Sequence, residues 1–278
     1  MEAALPPNMI AYYNETRSNE QMMPRWKRIL DITLVVLALP LLLVIGGTLA
    51  LIIRRVSRGP IFFRQERVGY NGRPFMLLKF RTMHQGAATD VHQSHQNTLL
   101  SSDAPMLKMD ARGDSRIIPL GIWIRAAGLD ELPQLINVLL GEMSLVGPRP
   151  CLPFELDKYR DWRVERFNTQ PGLTGLWQVS GKNNTTFQEM VQLDIEYSRT
   201  KTLALDLEII VRTIPALIVQ VLEMRRFRKQ VSIPISRHVA STTQQVPVNC
   251  RSYGRQTTYS GRNLKPVIRN VRAGFRQN

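Results

Sequence analysis

The stretch ITLVVLALPLLLVIGGTLALII, Ile32 to Ile53, decides the architecture, because it runs for 22 residues without a charge. As an α-helix it reaches ~33 Å, enough for a hydrocarbon core of ~30 Å. It reads poorly as a signal peptide: the apolar run is long, it begins 31 residues into the chain, and no A-x-A-like site follows. Arg25, Lys27 and Arg28 precede it, and Arg54, Arg55 and Arg58 follow it. Lys and Arg collect on cytoplasmic flanks, so a one-way crossing predicts asymmetry, and here both flanks are basic. Pro40 sits near the middle, where it removes a helical donor and crowds the preceding turn. Two readings stand on these residues. One is a re-entrant helix that bends at Pro40 and returns to the face it left; the other is a spanning helix with a tolerated kink.

Working outward, the remaining sequence divides by composition. The chain has 278 residues, 44% of them hydrophobic, which is enough for a core. The net charge of +15 is unevenly placed. No acid follows Glu223, and ten arginines and two lysines lie between Arg225 and Arg276, leaving only +3 on everything before. The basicity therefore belongs to an appendage and not to a folded nucleic-acid surface. Cys151 and Cys250 form no CxxC pattern, which argues against a disulfide framework or a cysteine zinc site and suits a reducing compartment.

The segments predicted are a polar leader at 1–24, a membrane helix with basic flanks at 25–58, a catalytic domain at 59–223 and a basic tail without a core at 224–278. Within the third, Ile61 to Met83 reads as two strands around Asn71-Gly72, a strong hairpin signal. Lys79 and Arg81 alternate with Phe80, so a strand sends both cations to one face. Residues 84–115 read as a surface loop. Its His84, His92 and His95 are a metal trio on one reading and solvated side chains on the simpler one. Leu132, Leu135, Ile136, Leu139 and Leu140 recur at helical spacing, with Asp130 as N-cap, Pro133 in the first turn and Gly141 as the stop. Met143 to Pro150 reads as a rigid turn around Arg149. Residues 155–167 read as a charged helix, Asn168 to Asn184 as a Gly-rich turn region, and TTFQEMVQLDIEYSRT as another helix. Asp206 to Leu222, broken by Arg212 and Pro215, reads as an amphipathic helix in the membrane interface.

Chemistry concentrates in RAAGLDELPQ, Arg125 to Gln134. Neighbouring helical side chains diverge by ~100°, so Asp130 and Glu131 do not share a target as an acid–base pair. Divergent carboxylates suit divergent tasks, one attacking and the other holding a metal. Arg125, Lys79 and Arg149 supply positive charge for a phosphate, and Mg²⁺ suits one carboxylate plus phosphate oxygens. The simpler reading is a capped helix: Asp130 caps, Glu131 complements the dipole and the arginines are solvated.

LDELPQLINVLLGEMSLVGPRP resembles the signature of the bacterial sugar transferases, the monotopic polyprenyl-phosphate phosphoglycosyl transferases. RVGYNGRPFMLLKFRTM, QPGLTGLWQVSGKNN, LDIEYSRT with LDLEIIVRTIPALI, and KRILDITLVVLALPLLL resemble further blocks of that family, in its order, from about Lys27 to about Leu217. The resemblance implies an α+β, membrane-associated, monotopic protein. Its parts are a re-entrant N-terminal helix bent at Pro40, a small β-hairpin, interfacial amphipathic helices and a compact cytosolic catalytic domain. It implies transfer of a sugar-1-phosphate from a UDP-sugar to undecaprenyl phosphate, with release of UMP, at the cytoplasmic face of a bacterial inner membrane. Such a reaction begins exopolysaccharide or O-antigen repeat units. By carry-over Asp130 is the nucleophile, forming an aspartyl-phosphosugar, and Glu131 is a Mg²⁺ ligand. Arg125, Lys79, Arg149 and Asp194 fall on substrate-site positions. Two positions depart from the pattern: Gly128 stands where the family has Ser or Thr, and Leu39 where many members have Ser.

Other classes remain defined by their tests. A non-catalytic membrane scaffold of a polysaccharide assembly complex has no need of the acidic pair. Specific nucleic-acid binding lacks an accompanying motif, and the basic tail suits the anionic inner leaflet instead. Pairing of copies into a homo-oligomer is compatible with a membrane enzyme of this type.

Overall fold

A computed structural model describes residues 23–84, 114, 116–158, 161–181 and 185–231. The leader up to residue 22, the loop histidines His92 and His95, and the tail beyond residue 231 lie outside the described residues. The chain separates into a unit Met1–Lys229 and a second, Gln230–Asn278, and the architecture that follows is the first unit's.

Helix α1 (Arg25–Val56) continues through Pro40. Its buried residues are Lys27, Asp31 and Val35 at one end and Leu49 and Ile53 at the other, each set at helical spacing. Between them Val36, Leu37, Leu39, Leu41, Leu43 and Val44 are all exposed. The two ends are therefore docked on the folded unit and the apolar middle is not. It is the one described helix long and apolar enough to cross a membrane.

The N-terminal dock is polar. Lys27 Nζ donates to Asp206 Oδ2 at 2.6 Å, to the Tyr197 hydroxyl at 2.8 Å and to the Val146 carbonyl at 2.8 Å. The Tyr197 hydroxyl in turn donates to Asp206 Oδ1 at 2.6 Å. Asp31 Oδ1 accepts from Ser144 Oγ and from the Leu145 amide. The C-terminal dock is apolar: Leu49 and Ile53 pack with Phe80, Ile118 and Ile124.

Strands β1 (Phe62–Val68) and β2 (Pro74–Phe80) form the expected antiparallel hairpin, in register Phe63↔Lys79 and Val68↔Pro74. Asn71 at φ 48° and Gly72 at φ 61° make the turn left-handed, which is why Asn-Gly serves there. Next come helix α2 (Gly121–Ala126), a single 3₁₀ turn at Leu129–Glu131 and helix α3 (Gln134–Leu140).

Helix α3 forms as its spacing predicts, but it does not turn its whole apolar face inward. Leu132 and Leu135 do pack inward, but Ile136, Leu139 and Leu140 are exposed, while Gln134, Asn137 and Val138 are buried. Asn137 explains the inversion. Its side-chain amide accepts from the Leu78 amide at 3.2 Å and donates to the Met76 carbonyl at 2.9 Å. It thus satisfies the free edge of β2 as another strand would. Gly141, at φ 83°, ends α3 as expected. Arg28 donates to the Val138 and Leu139 carbonyls at that end.

Part of the expected rigid turn is strand β3 (Ser144–Val146), parallel to β4 (Gly172–Thr174). A Cβ on Gly172 would fall 2.0 Å from the Gly147 amide nitrogen, so the two backbones meet where side chains have no room. The charged helix expected at 155–167 is instead a pair of 3₁₀ stretches, Pro153–Lys158 and Asp161–Asn168. Val164 and Phe167, three apart, both enter the core with Leu156, a spacing that eclipses side chains on a 3₁₀ helix.

Beyond β4 lie helix α4 (Leu176–Val179) and helix α5 (Phe187–Thr200), the latter started by a Thr186–Glu189 capping box. Helix α6 (Leu203–Val231) runs without a break through Arg212 and Pro215. Asp206 and Ile209 are buried, whereas Leu203, Leu207, Val211, Ile214, Ile218 and Leu222 form an exposed apolar stripe.

Candidate active site

The end of β2 runs beside the segment that carries the two acids. Lys79 Nζ pairs with Glu131 Oε1 at 2.9 Å. Phe80 packs with Ile124, Leu129 and Leu132. The Thr82 carbonyl accepts from the Ile118 amide at 3.0 Å, and the Thr82 hydroxyl accepts from Arg125 Nη1 at 3.3 Å. Lys79, Arg125, Asp130 and Glu131 are thus supplied by one strand end, the last turn of α2 and one 3₁₀ turn.

Asp130 is not the N-cap expected of it. It lies inside the 3₁₀ turn, Pro133 occupies the position before α3, and no side chain caps that helix. Three residues per turn set Asp130 and Glu131 ~120° apart. Asp130 is turned inward and only 6% exposed, while Glu131 is half-buried and reaches Lys79. The divergence expected of the pair is present, on a tighter helix.

The turn also accounts for Gly128. It has φ +69°, and a Cβ there would lie 3.2 Å from Leu217 Cδ2 of α6. Left-handed backbone strains any residue with a Cβ, so a glycine holds this conformation with less strain than a Ser or Thr. Helix α6 touches the same region again, where Gln220 Nε2 donates to the Arg125 carbonyl at 3.4 Å.

Arg149 and Asp194 meet each other in a second, buried cluster. Arg149 forks onto Glu155 through three hydrogen bonds of 2.9–3.1 Å. Its backbone amide donates to Asp194 Oδ2, which also accepts from Arg166 Nη2 at 2.6 Å. Burial pushes the Asp194 carboxyl up to about 6, against the opposing pull of Arg166. Burial also disfavours charge on Glu155, yet the Arg149 guanidinium holds its carboxyl below the usual range.

Arg67 of β1 links the two clusters. It donates to the Pro150 carbonyl at 3.0 Å and feels the fields of Arg149, Glu155 and Glu131. Burial and Arg149 lower its guanidinium to about 10. No local signal marks Arg67 and Arg166, whose partners lie far along the chain, or Glu155, whose spacing of six from Arg149 has no periodic meaning.

Pro40 lies in the exposed middle of α1, away from both docks. His84 is exposed at the end of the β2 segment, and among the described residues no three His, Cys, Asp or Glu side chains gather as a metal cage.

Comparison with known proteins adds an independent line. The family model described as "Bacterial sugar transferase" matches residues 22–220. The galactosyl transferase CpsE of Streptococcus agalactiae is 40% identical over 191 residues, which are 68% of this chain and 41% of that protein. The UDP-glucose:undecaprenyl-phosphate glucose-1-phosphate transferase of Caulobacter vibrioides is 41% identical over 204 residues, 69% of each chain. The exopolysaccharide production protein ExoY of Sinorhizobium fredii is 36% identical over 194 residues, 68% of this chain and 84% of that one. The chain thus spans less than half the length of CpsE and most of the length of the other two.

Proposed function

Because this chain belongs to the bacterial sugar transferase family, we propose that it moves a sugar-1-phosphate from a UDP-sugar to undecaprenyl phosphate. The names of its relatives support both the donor class and the lipid carrier, and ExoY supports a place in exopolysaccharide synthesis. The observation that carries the mechanism is the pair on the 3₁₀ turn: an inward Asp130 beside a Glu131 held by Lys79.

In the first step an Asp130 carboxylate oxygen attacks the sugar-bearing phosphorus. The bond from that phosphorus to the oxygen bridging to UMP breaks, and UMP leaves. In the second, a phosphate oxygen of undecaprenyl phosphate attacks the same phosphorus. The aspartyl bond breaks, Asp130 returns as a carboxylate, and undecaprenyl-diphosphate-sugar departs. Two displacements let a soluble donor and a membrane-held acceptor react in turn.

Lys79 and Arg125 offset the charge that builds on the diphosphate. Arg149 and Asp194 brace the adjoining backbone through Arg166 and Glu155. The half-buried Glu131 carboxylate would hold a Mg²⁺, an ion that suits one carboxylate together with substrate phosphate oxygens. There it would neutralise phosphate charge.

The two docks of α1 support a one-face topology. Both ends rest on the same folded unit, which supports a helix that enters and leaves the bilayer on one face, bent at Pro40. The exposed apolar middle of α1 and the outward stripe of α6 give two lipid-facing surfaces. The catalytic unit then sits on the cytoplasmic face of the inner membrane.

Protein in bilayer nanodiscs supplied with UDP-sugars, undecaprenyl phosphate and Mg²⁺ releases UMP on this account, and Asp130→Asn lowers release to background. Turnover of that variant at the parent rate removes Asp130 from the mechanism, and silence with every donor favours a scaffold.

A further inference from the structure

Arg81 directly follows β2, and the transfer mechanism gives it no task. It is only 6% exposed. Its Nη2 donates to the Ser57 carbonyl at 2.8 Å, where the chain leaves α1. Its Nε and Nη1 are buried without any hydrogen-bond partner. No carboxylate among the described residues pairs with it.

A guanidinium carries five N–H donors and stays charged at any physiological pH. One neutral carbonyl does not compensate it, and a buried unpaired charge is strongly disfavoured until an anion completes it. Arg67 also has a buried Nε without a hydrogen bond, but it feels the attraction of Glu155, and the buried Arg166 pairs with Asp194. Arg81 lacks that relief.

Its neighbours give the location. Lys79, two residues before, pairs with Glu131, and Thr82, one after, accepts from Arg125. Arg81 therefore belongs to the short run that touches the acidic turn, at the foot of the membrane helix.

We propose that Arg81 binds a phosphate of one substrate. The inference rests on the transferase reading above. Its fork suits two oxygens of a single phosphate. A donor diphosphate and a lipid phosphate both carry that group. Nε and Nη1 face protein in this structure, so phosphate reaches them as the guanidinium swings off the Ser57 carbonyl.

Arg81→Gln keeps a donor for that carbonyl and removes the charge, and Arg81→Lys keeps the charge and loses the fork. In full-length protein, UMP release is followed with UDP-sugar varied at fixed undecaprenyl phosphate, then the reverse. R81Q raises the KM of one substrate by roughly 10- to 100-fold with a smaller change in kcat, and R81K lies between. A rise for the donor assigns the diphosphate, and a rise for the acceptor assigns the lipid phosphate. A parallel arm uses inorganic pyrophosphate as probe. It raises the Tm of the parent protein and leaves R81Q and R81K unshifted or less shifted. Parent KM values in R81Q, or equal pyrophosphate shifts in all three proteins, overturn the inference. A parent chain that never releases UMP overturns the transferase reading instead, and the pyrophosphate arm then decides Arg81 alone.

Discussion

Gly128 shows how a single position sets the reactive turn. Its φ of +69° and the approach of Leu217 leave no comfortable place for a side chain. Gly128→Ala therefore loses about 1–2 kcal/mol to left-handed backbone alone, plus whatever the Leu217 contact adds. Denaturant unfolding in detergent reads the first loss. UMP release falls with it, because Asp130 is two residues on. Unchanged stability and rate in G128A contradict this view of the turn. The acidic pair itself was legible in sequence, since adjacency is a local feature and the surrounding motif is long. Arg67, Glu155 and Arg166 were not, since a buried ion network is written in contacts between distant segments. Glu155 lies six residues from Arg149, but nothing in that spacing distinguishes a core partner from a solvated acid.

At the scale of elements, α1 was legible by length and charge, the hairpin by Asn71-Gly72, and α5 by its Thr186 and Glu189 cap. Where local pattern and structure part, the cause is shared. Periodicity reports which face is apolar, not which face is inside. In α3 the apolar Ile136, Leu139 and Leu140 face outward because Asn137 is needed against β2. In residues 155–167 the chain takes 3₁₀ turns, and Val164 and Phe167 enter the core three apart, a spacing that a window tuned to 3.6 misses. The polar dock of α1 supplies a direct test. Lys27→Met leaves the Asp206 carboxylate and the Tyr197 hydroxyl buried without their cation, and breaking such a pair costs about 3–5 kcal/mol. Replacing both partners, with Lys27→Met and Asp206→Leu together, restores part of that loss, since no lone charge remains. Chemical denaturation of the two single variants and the double variant measures the coupling. Additive losses deny that the pair acts as a unit.

For the whole molecule, the distribution of apolar surface unites the parts. The middle of α1 and one stripe of α6 are exposed while both ends of α1 are docked. The one-face topology proposed above makes a prediction that thiol labelling tests. With Cys250→Ser as background, Arg25→Cys and Arg58→Cys occupy exposed positions beside the two docks. In intact spheroplasts neither reacts with a membrane-impermeant maleimide, and both react once the membrane is opened. Labelling of one from outside indicates a spanning helix.

The proposed covalent bond between Asp130 and phosphosugar during turnover can be trapped. Protein given radiolabelled UDP-sugar and Mg²⁺ without acceptor is quenched, digested and mapped by mass spectrometry. The account predicts a phosphosugar adduct on Asp130 that forms as UMP is released and disappears when undecaprenyl phosphate is added. An unmodified Asp130 under conditions in which lipid-linked product accumulates contradicts it.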